Sequence, residues 1–269
     1  KRLLLAVLIL FFVSLIIYGL VRMLPNDYVD QKFQSQLEQG TVTQEYIDNM
    51  KALYGLDDNS FGGIIKGYFK WLSKALHGDL GISFKFNEPV ADVISTYMWI
   101  SFVISFVALI LEFIIAIPLG VISATHQYGV SDYVVTVFAM VGISLPSFFL
   151  GSLLIKVFSV DLGWLPMQGL TDATKDYDGF RAVLDMARHC ILPMVSLVVL
   201  SVGGMMRYTR TNTLEVLNSD YIRTARAKGL SEHTVIYKHV FRNTMIPLVT
   251  TMAGILPSLF SGAMITEEI

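Results

Sequence analysis

At 269 residues, with 54% hydrophobic and 16% charged residues and a mean hydropathy of +0.57, the chain is too apolar for an ordinary soluble domain, which carries about 25% charged residues. The net charge of -2 says little in total, no nucleic-acid partner is expected, and the distribution of charge along the chain is the informative quantity. A single cysteine, Cys190, excludes an internal disulfide and any multi-cysteine metal site and suits a small buried hydrophobe at the head of an apolar run.

The first apolar run, Leu3 to Val21, follows Lys1-Arg2 as a secretory signal would. Nineteen apolar-dominated residues exceed the roughly 7 to 15 of such a signal, and no small-x-small cleavage site follows, so the run predicts a retained first span within a segment 1–24. Because the chain starts with Lys rather than Met, its true beginning is expected to lie upstream. Residues 25–97 are too many for a simple turn and predict a structured loop. Three short helices are expected there: Gln44 to Leu53 behind Thr43, Gly63 to Leu76, and Val90 to Thr96 with Pro89 as an early helical residue. The second places Ile65, Phe69, Leu72 and Leu76 on one face and Lys66, Lys70 and Lys74 on another. With Trp71, that pattern suits a helix on the bilayer surface or a small lid packed on other spans.

Further apolar runs, Met98 to Ala124, Val134 to Phe158, Cys190 to Met206 and Met245 to Ile265, are each near the ~20 residues needed to cross a membrane. Five spans are therefore predicted, in an all-α polytopic membrane bundle whose core covers 98–269. Glu112 lies near the middle of the second span, where an ionised acid costs about 2.5 to 3.5 kcal/mol. It is a translocation candidate; the competing reading is an internal hydrogen bond to another helix. Pro118, Pro146, Pro193, Pro247 and Pro257 fall within or at the edges of spans, and Gly203-Gly204 ends the fourth. They suit a moving bundle and a static one nearly equally, since both residue types are common in membrane helices.

Residues 207–244 carry the most distinctive local pattern. Ser219 is a capping residue type, Asp220 stands in the first turn of the helix it would cap, Arg226 and Lys228 in the last, and Gly229 at the stop. From Asp220 to Lys228 such a helix spans about 13 Å, shorter than the ~12 to 15 residues an isolated helix needs in water. Something else must hold it. Ser231 with Glu232 then starts a second helical run, Val235 to Thr244, leading to the apolar segment around Pro247. A docking element and an ordinary solvated basic loop both fit this pattern.

Charge sets the topology. Arg207, Arg210, Arg223, Arg226, Lys228, Lys238 and Arg242 crowd the 207–244 segment against Glu215, Asp220 and Glu232. Residues 159–188 carry three basic residues against five Asp, and 25–97 six Lys against ten acids. The positive-inside rule then places the N-terminus, the Thr125 to Tyr133 turn and 207–244 in the cytoplasm.

The order Asp220-Tyr221-Ile222-Arg223-Thr224-Ala225-Arg226-Ala227-Lys228-Gly229-Leu230, then His239 and Ile246-Pro247, closely resembles the cytoplasmic coupling loop of ABC-importer permeases, in the oligopeptide/dipeptide (peptide/nickel) branch. Permeases in general carry Glu-Ala-Ala, three residues, Gly, nine residues and Ile-x-Leu-Pro. Here Arg223-Thr224-Ala225 replaces the first triplet and His239-Val240-Phe241-Arg242 the last element, so only Ala225 and Gly229 match outright; the departures are those of the peptide branch. The resemblance extends to His77-Gly78-Asp79-Leu80-Gly81-Ile82-Ser83-Phe84, Pro89-Val90, Leu145-Pro146-Ser147-Phe148, Ile191-Leu192-Pro193 and Glu215-Val216-Leu217, most of the chain. It implies a sixth span beyond Glu267-Glu268-Ile269 and a place in the bacterial plasma membrane.

The resemblance also implies a function. The chain has no Gly-x-x-x-x-Gly-Lys-Ser/Thr phosphate loop, so it is expected to be no enzyme and to hold no cofactor or metal; ATP and Mg belong to partners. Those partners are two cytoplasmic ATP-binding subunits, a second homologous permease subunit, an extracytoplasmic binding protein, membrane lipid and a peptide cargo. The ATPases would pull the helix Asp220 to Lys228 and switch the bundle between inward-open and outward-open states. Gly229 would permit the turn, Ala225 and Ala227 would keep the helix slim, and Arg223, Arg226 and Lys228 would pair with ATPase acids. Rival readings are an ion-driven transporter or channel using Glu112, a membrane anchor for a cytoplasmic enzyme, and an importer of nickel, glutathione or short sugars. The spans show no convincing internal repeat of the kind secondary transporters carry.

Overall fold

The computed structural model describes residues 1–24, 29, 33, 36–54, 58, 60–83, 86, 88–172, 174–175 and 177–261. Phe84 of the His77 to Phe84 motif, the last four residues of the expected fifth span and Glu267-Glu268-Ile269 lie outside them. Among the described residues the chain is helical, with no strand and one isolated antiparallel bridge, Ile82 to Pro89. It divides into two compact units, Lys1–Thr96 and Tyr97–Ile269.

In the first unit, α1 (Arg2–Arg22) is 21 residues long, about 31 Å, which matches the ~30 Å hydrocarbon core. Its apolar side chains are largely exposed, as a helix solvated by lipid requires. Next, α2 (Gln44–Tyr54) starts where expected, with the Thr43 hydroxyl accepting the Tyr46 N–H at 3.3 Å. The following helix, α3 (Phe61–Leu76), is capped by Ser60, whose hydroxyl accepts the Gly63 N–H at 3.1 Å.

The buried face of α3 differs from the expected stripe. Ile64 and Tyr68 are buried, whereas Phe69 and Leu76 are 53% and 78% exposed. Of the expected stripe, Ile65 and Leu72 are half-buried, and Tyr68 anchors the helix from the adjoining face. The Tyr68 hydroxyl bonds the Ser14 hydroxyl at 2.7 Å and donates to the Phe11 carbonyl at 3.3 Å, while its ring meets Phe11, Tyr18 and Trp71 edge-on or tilted. α3 thus packs on α1.

The expected third short helix is not separate. Val90 to Thr96 forms the opening of α4 (Val90–Thr125), with nothing in the sequence to break it, and Pro89 stands just before the helix, its carbonyl accepting from Asp92 and Val93. The helix α4, which enters the second unit at Tyr97, and α7 (Phe180–Leu217) have 36 and 38 residues, about 54 and 57 Å, so both outrun the hydrocarbon core. This is why the helices exceed the apolar runs that signalled them. A buried cluster of Leu109, Phe113, Ile117, Ala139, Met205, Met206 and Leu248 joins α4, α5 (Val130–Ser144), α7 and α10 (Phe241–Ile255). Close approach is enforced at Gly203, where a Cβ would meet the Ala139 carbonyl oxygen at 2.4 Å; Gly204 beside it has open space.

The third apolar run is not one straight helix. α5 ends at Ser144, Leu145 is extended, and α6 (Ser147–Leu154) sets off after Pro146, continuing as a π-helix (Ile155–Asp161); the two limbs meet at 100°. Pro146 has no N–H for an unbroken helix and forces Leu145 out of the α region. Several hydroxyls along the spans bond their own helix, as Ser196 does to Leu192 and Ser201 to Leu197. The chain is a multi-pass membrane protein.

Candidate functional site

The basic segment folds into a corner between two long helices. α8 (Asp220–Ala227) follows α7 after Asn218 and Ser219. Ser219 has the extended backbone of an N-cap, but its hydroxyl donates backward to the Val216 carbonyl at 2.6 Å and caps nothing ahead. Asp220 still places a carboxylate in the first turn. At the other end Lys228 is the C-cap and Gly229 has φ +76°, the left-handed conformation foreseen from its type. No atom lies within 4 Å of a Cβ built on Gly229, so the backbone alone requires glycine there.

What holds so short a helix is a small core of its own. Ile222 and Val235 are fully buried, with Val240 and Ala225 beside them and Val216 and Leu217 of α7 packed on the cluster. Ser231 caps α9 (Glu232–Thr234) by accepting the Thr234 N–H at 3.4 Å. The chain then runs through a π-helical stretch (Val235–Val240) into α10. Arg226 reaches across the Gly229 turn to Glu232, Nε to Oε1 at 2.7 Å and Nη2 to Oε2 at 3.3 Å. One of the three cations expected to face a partner is therefore engaged within the corner.

The opposite face of α8 is open. Tyr221 is half exposed, and Asp220, Arg223, Thr224, Ala227 and Lys228 are exposed. Arg223 makes only a 3.5 Å contact with Asp220, and Lys228 makes no ion pair among the described residues. The arrangement is a small knob, apolar beneath and cationic on top.

A second polar constellation ties together the same ends of the helices. The Asp132 carboxylate, 4% exposed at the start of α5, takes Arg210 Nε on Oδ1 at 2.7 Å and Arg210 Nη2 on Oδ2 at 2.8 Å. The Ser123 hydroxyl also donates to Oδ1, and the Tyr128 N–H to Oδ2 at 2.9 Å. Tyr128 holds a left-handed φ of +63° in the α4–α5 turn. In the sequence Arg210 is one of seven cations of the 207–244 segment, and Asp132 one acid in a short turn. Seventy-eight residues separate them, and no local pattern links such a pair.

Glu112 is not brought to the corner. It is buried on α4 beside the Ser201 hydroxyl of α7, thirteen residues or about 20 Å before the helix end at Thr125. Among the described residues no group of His, Cys, Asp and Glu is arranged to hold a metal.

Residues 116–269 match the family of the binding-protein-dependent transport system inner membrane component. That range includes the whole corner and the Asp132–Arg210 pair but not Glu112. The chain is 33% identical to the oligopeptide transport system permease protein AppB of Bacillus subtilis, over all of this chain and 81% of the relative. It is 34% identical to a putative peptide permease protein of Brucella ovis, again over its full length and 81% of the relative. The glutathione transport system permease protein GsiC of Escherichia coli is 34% identical over all of this chain and 80% of its own.

Proposed function

The chain belongs to the family of binding-protein-dependent transport system inner membrane components, and from that premise we propose that it is the transmembrane permease subunit of an ATP-driven importer of short peptides. The names of its relatives support this cargo class, and glutathione is itself a tripeptide. The observation that carries the energy-coupling part is the corner, where Ile222 and Ala225 are buried while Tyr221, Arg223 and Lys228 face outward. A knob built this way transmits force without deforming, because its underside is fixed to α7 and to the helix entering the next span.

In this reading the knob sits on the cytoplasmic side, with the N-terminus, and docks in a groove of an ATP-binding subunit. Arg223 and Lys228 supply the charge for that contact and Tyr221 the apolar surface. A homologous permease completes the pore, and an extracytoplasmic binding protein delivers the peptide. ATP and Mg bind to the partner subunits. Glu112 has no transport step; its place beside Ser201 supports a bond between helices. The test is peptide uptake into vesicles reconstituted with the complex and its binding protein. ATP inside should drive uptake and an ion gradient alone should not. Uptake on the gradient without ATP would overturn the proposal and return Glu112 to consideration.

A further inference from the structure

The structure assigns a positioning role to the Asp132–Arg210 pair: we propose that it locks the end of α7 to the ends of α4 and α5, so that displacement of the α8 knob moves all three helices together. The inference rests on the permease reading and names residues through which its force travels.

The geometry is a four-way junction. Arg210 lies seven residues before the end of α7, about 10 Å along a continuous helix from Leu217, which packs on the Ile222 cluster. Ser123 belongs to the last turn of α4, Tyr128 to the turn, and Asp132 to the first turn of α5. Every bond the Asp132 carboxylate accepts thus comes from a different element or from the forked Arg210 guanidinium, whose rigid plane fixes angle as well as distance. Among the described residues, apart from Glu112 beside Ser201 higher in the bundle, contacts between these helices include van der Waals surfaces such as Gly120 against Thr209 and Gly203 against Ala139. Such surfaces resist compression and permit sliding. A bidentate ion pair resists sliding.

Stability alone does not explain the pair. The Asp132 carboxylate is taken out of water while the Arg210 side chain stays 27% exposed; burying the acid is costly, and apolar side chains of similar volume generally stabilise as well or better. What apolar side chains do not supply is a single registry between helices, which is the best attested use of an ion pair set between packed elements. Placed two turns from Leu217, which packs on the knob's cluster, registry is the property that a force-bearing junction needs.

The test uses the complete complex with its ATP-binding subunits and binding protein, comparing the unaltered protein with Asp132→Asn, Arg210→Lys and the exchange Asp132→Arg with Arg210→Asp. The readout is peptide imported per ATP hydrolysed, which a merely structural defect leaves unchanged because lost complex lowers both quantities together. The single variants should lower this ratio about 5- to 150-fold, the span of typical coupling between sites, and the exchange should restore part of it. In a Cys190→Ser background, spin labels at Val130→Cys and Leu230→Cys, both exposed and neither part of the proposed docking contact, should keep one separation with and without trapped ATP. With Arg210→Lys, which retains the charge and loses the fork, the separation should change between the two states. An unaltered ratio and separation in the variants would overturn the role. Failure of the unaltered complex to import on ATP would instead overturn the permease reading.

Discussion

The corner's dependence on Ile222 is open to a direct test. Ile222→Ala removes three buried carbons at about 0.8 kcal/mol each, and the incompletely closed void brings the cost to about 3 kcal/mol. The side chain is fully buried, so little of that loss is recovered by water. An eight-residue helix has no reserve of its own, since isolated helices below ~12 residues are marginal, so the loss falls on local opening of α8. About 3 kcal/mol is about a hundredfold in an opening equilibrium. Amide hydrogen exchange of the intact protein in nanodiscs measures it at the Arg223 and Lys228 amides, bonded to Ser219 and Thr224. These should exchange about a hundredfold faster, with the amides of α4 unaffected. Tyr221→Ala, on the exposed face, should leave exchange unchanged while lowering ATP-driven uptake. Unaltered exchange in Ile222→Ala would refute the claim that this cluster holds the knob in place.

Gly229→Ala forces an L side chain into φ +76° at about 1 to 2 kcal/mol; membrane insertion should be normal, and uptake per ATP should fall. Gly203→Ala drives a methyl group to within 2.4 Å of the Ala139 carbonyl, and thermal unfolding in detergent should show a loss of about 1 to 3 kcal/mol, whereas Gly204→Ala, in open space, should show none. Tyr68→Phe keeps the aromatic packing but leaves the Ser14 hydroxyl without its 2.7 Å partner. A destabilisation of about 1 kcal/mol is expected in exchange of the α3 amides, and no change in transport per ATP.

Local signals were legible in proportion to how locally they are determined. The stop at Gly229, the cap at Ser231 and the start of α2 each depend on one or two backbone angles that a residue type dictates, and the structure holds all three. Where tertiary fit competes with local type, the pattern misled. Ser219 is a good capping residue, yet its hydroxyl turns back to Val216 and closes α7. On α3 the fully buried positions are Ile64 and Tyr68, beside the expected apolar face rather than on it, and Tyr68 makes two bonds to α1. The Asp132–Arg210 junction was invisible for a different reason: an acid in a nine-residue turn and one cation among seven look like solvated charges until the chain folds back on itself.

The π-helical stretch shows how the corner combines two requirements that a regular helix would set against each other. Val235 and Val240 are both buried against Ile222, yet five residues along an α-helix are separated by roughly 140° around its axis and cannot share a face. Widening the turn to i→i+5 bonding brings the second valine nearly over the first, so one side of the helix seals the underside of α8. Beyond Val240 the chain resumes α-helical winding and carries Phe241, Met245 and Leu248 into the bundle core. The irregularity lies between the knob's own small core and the membrane core, so each is packed for its own geometry while the backbone joining them remains helical. On the proposed permease reading, a push on α8 would enter the bundle along two helical routes, up α7 past Arg210 and up α10 past Val240. Both arrive at the same cluster, where Met205 and Leu248 lie with Phe113 of α4.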